Sequence, residues 1–146
     1  MYFLKHNFTR SFYIICLLFA FSACGDDDGP PTDQELVFER LSGDWSVETA
    51  NGTVILDGAD VSANYPGFSL SFADGTYTTS NAGDLFQASG TWQFIDEEAR
   101  MLLLDSGEEV TIIDLTETRF EFSFFSNGTG SSAAGIGGNY TIVLEK

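Results

Sequence analysis

From Gly43 onward, large apolar residues recur at every second position between short turn signals, and few folds accept that period. Trp45, Val47 and Thr49 alternate with Ser46 and Glu48, and Phe68, Leu70 and Phe72 with Ser69 and Ser71. Trp92 and Phe94 alternate with Thr91 and Gln93, Phe120, Phe122 and Phe124 with Glu121 and Ser123, and Tyr140, Ile142 and Leu144 with Thr141 and Glu145. A period of two marks strands with one buried and one wet face. The pattern predicts strands over 43–50, 53–56, 67–73, 76–80, 85–95, 99–104, 108–115, 118–126 and 138–145. Residues 101–104 and 110–113 are solidly apolar, so those two strands are either covered on both faces or sit at a contact. Asn51-Gly52 and Asp74-Gly75 each have the chemistry of a two-residue hairpin turn. Nearby strands joined by connections this short pair antiparallel, as a meander, and closing the sheet into a small barrel of about eight strands removes its exposed edges. Ahead of them, Thr32-Asp33-Gln34-Glu35 fits a capping box opening a short helix over about 33–41.

The N-terminus speaks to address. Lys5 and Arg10 precede an apolar run over 12–21, and Ser22-Ala23 then lead into Cys24, the order of a secretory signal peptide. The small pair before Cys24 resembles the lipobox of bacterial lipoproteins. That resemblance implies cleavage before Cys24 and a lipid on its sulfur, with palmitate among the acyl chains, holding the protein to the outer membrane. An uncleaved anchor helix is the alternative, but the run of about ten residues falls short of the ~20 that span a bilayer. The chain divides into a signal peptide at 1–23, an acidic tether at 24–32 and a domain at 33–146. Asp26, Asp27 and Asp28 read either as a plain solvated linker or as an export signal, since an acidic run after the lipidated cysteine resembles the one that sends Bacteroidetes lipoproteins to the cell surface. They lack the spaced ligands of a calcium loop.

Charge and side-chain inventory remove whole classes of function. All 22 acids follow residue 24, against only Arg40, Arg100, Arg119 and Lys146, which leaves a formal charge of −18 after Cys24. Such a surface repels nucleic acid and anionic head groups. His6 and Cys16 leave with the signal peptide, so the domain has no imidazole and no free thiol. Ser-His and Cys-His nucleophiles and zinc sites built on Cys or His are excluded, and no cofactor motif is present. Carboxylates remain. The clusters Asp96-Glu97-Glu98 and Asp105 to Glu109 are separated by the strand 99–104, about 20 Å at ~3.3 Å per residue, whereas glycoside hydrolysis needs two acids roughly 5–9.5 Å apart. No catalytic residues are assigned, and the domain reads as a binding or accessory module rather than an enzyme.

Gly43-Asp44-Trp45-Ser46-Val47 and Gly90-Thr91-Trp92-Gln93-Phe94 share one pattern: glycine, any residue, tryptophan, any residue, apolar. The first copy, behind a short helix, resembles the opening of the lipocalins. With Gly67 to Phe72, Asp74 to Thr78 and Asn139 to Ile142, the chain from about 36 to 146 is similar to the lipocalin-like lipoproteins of Bacteroidetes. The resemblance implies a lipocalin-like barrel and an arginine laid over the first-strand tryptophan, for which Arg119 is the candidate. It names no ligand, and the Thr-Asp-Tyr motif of the true lipocalins is absent. Trp45, Phe68, Phe72, Trp92, Phe94, Phe122 and Tyr140, with Leu70, Phe120 and Phe124, form either a solid core or the walls of a residual apolar pocket. A pocket takes a small apolar or glycan-type ligand, and a solid core leaves an envelope protein as the partner. The small-residue segment 126–138 reads as a mobile loop or a contact surface.

Overall fold

The computed structural model describes residues 29–128 and 136–146. The expected signal peptide at 1–23, the expected lipidation site Cys24 and the candidate export signal Asp26, Asp27 and Asp28 lie outside the described residues, as does the middle of the 126–138 segment. Within the unit Pro31–Lys146 the chain opens as its capping box requires. Thr32 accepts from the Glu35 amide through Oγ1 at 3.2 Å, and the Glu35 carboxylate accepts from the Thr32 amide at 2.7 Å. Helix α1 spans Asp33–Leu41, and ten antiparallel-paired strands follow: β1 (Gly43–Ser46), β2 (Thr53–Leu56), β3 (Ala59–Asp60), β4 (Ser69–Ala73), β5 (Thr76–Ser80), β6 (Ser89–Phe94), β7 (Met101–Leu104), β8 (Glu109–Leu115), β9 (Arg119–Ser126) and β10 (Gly138–Glu145).

Eight of them close into a barrel. From β4 to β10 each strand pairs with the next, and β1 closes the ring by pairing with β4 along its length and with β10 through Ser46 and Glu145. The remaining hairpin, β2–β3, continues the edge of β10 that β1 leaves: Thr53 to Leu56 lie opposite Val143 to Tyr140. The expected all-β, lipocalin-like barrel with a short N-terminal helix is therefore the observed fold.

Three local expectations change. Asn51-Gly52 is not a hairpin turn, because β1 and β2 do not pair with each other and instead run in the same direction along β10. The 47–52 excursion between them is pinned where Asn51 Nδ2 donates to Glu145 Oε1 at 2.9 Å, and Gly52 lies so close to the Val47 carbonyl that a Cβ would collide with it. Glycine serves close approach there rather than positive φ. The two-residue turn with both residues left-handed is Asp57-Gly58 (φ 47 and 86), between β2 and β3. Residues 85–88 form no strand; they belong to a loop from which Leu85 and Phe86 fold inward. Finally, the apolar runs of β7 and β8 are not covered on both faces. Leu102, Leu104 and Val110 are buried in the barrel, Met101 and Leu103 are half-buried, and Ile113 is exposed.

Candidate functional site

The barrel interior is the expected site, and it is built mainly from alternate residues of the eight barrel strands. Trp45, Phe68, Phe72, Trp92, Phe122 and Tyr140 are buried, as are Leu70, Phe120 and Phe124, whereas Phe94 is half-buried and packs against them. The rings form a continuous chain. Phe120 stacks on Phe122 with centroids 4.5 Å apart, Phe124 stacks on Tyr140 at 5.3 Å, and Phe72 meets the rings of both Trp92 and Phe120 edge-on. Edge-to-face and offset pairs at these separations add to the stabilisation from burial alone. The cavity left among Leu70, Phe72, Tyr77, Phe86, Phe120 and Phe122 measures about 10 Å³, around the space of a single water.

Both ends are plugged by residues that the strand alternation does not reveal. At one end α1 lies across the opening. Its Leu41 is fully buried, Phe38 packs on Trp92 at 5.9 Å, and Gln34 Nε2 donates to the Asp96 carbonyl. Both Gly-x-Trp tryptophans serve this end. Trp45 Nε1 donates to the Leu41 carbonyl at 2.7 Å, and Trp92 Nε1 is shared between the Ala73 and Thr76 carbonyls, each at 3.0 Å, across the β4–β5 turn. The two glycines do different jobs. Gly43 takes φ 109, and a Cβ at Gly90 would run into the Tyr77 ring and the Asp105 carboxylate. At the other end, the loop end, Phe86 reaches in from the 81–88 loop to meet Phe68, Phe122 and Phe124, the last at 4.8 Å. Leu85 and Ala82 are buried beside it.

The cation over Trp45 is Lys146, not Arg119. Lys146 Nζ lies 4.3 Å from the ring centroid and donates to the Arg40 and Ser42 carbonyls, each at 2.8 Å. It thus satisfies carbonyls at the C-terminus of α1, where a cation is favoured. Arg119 begins β9 with its neighbour Phe120 inward. Its guanidinium pairs with Glu121 at 2.7 Å and with Asp114 at 3.6 Å on the outside of the wall.

Polar groups gather at the loop end. Tyr65 donates to Asp84 at 3.2 Å, and burial first, then the Tyr140 hydroxyl and Asp84, pushes its phenol far above the ordinary range. Tyr77 donates to Asp105 at 3.4 Å; burial first, then the charge of Asp105, also raises it. The two carboxylate clusters occupy opposite ends of β7 and share no site. Among the described residues no three metal-ligating side chains converge, and no helix is long and apolar enough to cross a membrane. Compared with known proteins, the chain matches no protein-family profile and no curated protein.

Proposed function

We propose that this chain is a lipid-anchored lipoprotein of the bacterial cell envelope, placed at the outer membrane by Cys24. Its lipocalin-like barrel works through its outer surface, as a non-enzymatic accessory component that contacts an envelope protein. The observation supporting this over carriage of a small ligand is the packed interior, where the cavity among Leu70, Phe72, Tyr77, Phe86, Phe120 and Phe122 is about 10 Å³ and holds at most a water. An apolar ligand of even benzene size would need a cavity on the order of 150 Å³, which requires several of the packed aromatic rings to leave. The absence of imidazole and thiol from the domain and the separation of the carboxylate clusters support a non-catalytic role.

Titration of the full chain with palmitate and with an apolar naphthalene dye tests the reading. Trp45 and Trp92 are the only two tryptophans and both border the interior, so their emission reports entry directly. No saturable change is expected. A shift that saturates at one ligand per chain overturns the accessory reading in favour of a carrier.

A further inference from the structure

The four cations of the domain are segregated. Arg40 lies on α1, Arg100 in the β6–β7 connection, Arg119 at the start of β9 and Lys146 just after β10. All four are at the end that α1 covers, where Arg119 and Lys146 are already held by carboxylates and carbonyls respectively. The loop end carries Asp57, Asp84, Asp105, Glu108 and Glu109 with no Lys or Arg. Among the described residues five large apolar side chains are exposed, and two of them, Phe125 (57%) and Ile136 (61%), are also at this end. An open groove of about 1310 Å³ runs over it, lined by Asp84, Glu108, Glu109 and Phe125 among others. One carboxylate oxygen of Glu108 is shielded from solvent and accepts no hydrogen bond among the described residues, a state that proteins rarely leave uncompensated.

We infer that the loop end is a docking surface for a basic protein segment, one that lays an apolar residue on Phe125 and sets Lys or Arg against Asp84, Glu108 and Glu109. Charge decides the occupant. An anionic membrane or nucleic acid is repelled by a face of one sign, and the carboxylates do not converge in threes to hold a metal. A cationic segment gains steering from the acidic field and a cation–π partner in the exposed ring. The inference rests on the proposal that the barrel acts through its exterior, and it names the part of that exterior.

The test uses the full chain in detergent and a labelled peptide of alternating Lys and Leu, read by fluorescence anisotropy at low and at raised salt, with a Glu-Leu peptide for comparison. The loop-end triple variant Asp84→Asn, Glu108→Gln, Glu109→Gln is expected to weaken Kd at least tenfold, and Phe125→Ser about fivefold. An equal charge change at the other end, Glu39→Gln with Glu97→Gln and Glu98→Gln, is expected to alter Kd less than twofold. Equal losses from the two triples, or no loss from Phe125→Ser, mean diffuse attraction to an acidic protein and overturn the proposal. Glu109→Gln and Phe125→Ser, both at exposed positions, keep the test decisive if the triple fails to fold. Saturable dye uptake by the barrel refutes the accessory reading alone, whereas loss of loop-end dependence refutes only the docking surface.

Discussion

Trp45 joins the helix, the barrel and Lys146, so its replacement separates three contributions. The side chain is fully buried, and Trp45→Ala removes a large ring from a packed site at a cost of ~3–5 kcal/mol. Trp45→Phe keeps most of the apolar volume but strips the donor from the Leu41 carbonyl, for ~1–2 kcal/mol by ordinary hydrogen-bond values. The cation–π share is read from a double-mutant cycle of Trp45→Leu, which removes the ring, with Lys146→Met, with an expected coupling of ~0.5–1 kcal/mol. Against a total stability of roughly 5–15 kcal/mol for a domain of this kind, the alanine variant sits near the threshold of folding. Urea unfolding followed by far-ultraviolet circular dichroism is the appropriate assay, because emission itself changes when Trp45 is removed. A cost below ~1.5 kcal/mol for Trp45→Ala would show that α1 is not docked through this ring. Strict additivity in the cycle would show that Lys146 holds the helix carbonyls without using the indole.

Phe86→Ala is expected to destabilise by ~3 kcal/mol while Glu97→Ala stays within ~0.5 kcal/mol, and equal melting temperatures for the two refute the plug at the loop end. Tyr65 and Tyr77 have phenols raised by burial, so their contribution is fully present below the unfolded value of ~10 and is lost as pH rises above it. Their phenolate absorbance is accordingly expected to appear together with loss of circular dichroism on alkaline titration. Ionisation well ahead of unfolding would contradict that, and Tyr65→Phe is expected to move the transition to higher pH. Cys24→Ser is expected to abolish acyl labelling and release the protein from membranes; retention with an intact N-terminus means an anchor helix instead.

Where structure followed local chemistry, it was legible in the sequence. The capping box announced α1 because Thr32 and Glu35 satisfy each other's amides within four residues. Period-two alternation located the strands because a barrel wall has one dry face. Asn51-Gly52 misled because the same dipeptide serves two purposes. Its hairpin chemistry is real, but here the strand partners are fixed by β10, which lies far along the chain and holds both β1 and β2. Arg119 misled for a related reason: position relative to Trp45 depends on where β9 begins and β10 ends, and the end of β10 delivers Lys146 to the ring.

Whether the barrel is solid or hollow could not be read by counting inward strand residues, because the deciding side chains are not on strands. The strand aromatics by themselves line a tube. Phe38 and Leu41 on α1 close one end of it, and Tyr65, Leu85 and Phe86 on loops close the other. None of these five follows a period of two, and Leu85-Phe86, which the sequence places at the start of a strand over 85–95, belongs instead to a loop. Inward folding of that loop has a physical cause. Phe68, Phe122 and Phe124 form an apolar cup at the loop end, and Phe86 fills it at about the area that one aromatic ring can bury. The proposed function depends on that one residue. Phe86 seated among Phe68, Phe122 and Phe124 leaves a cavity of only about 10 Å³ beside it, and this packing is what supports recognition through the outer surface. With Phe86 truncated, the cup is the place where an apolar ligand would first find room.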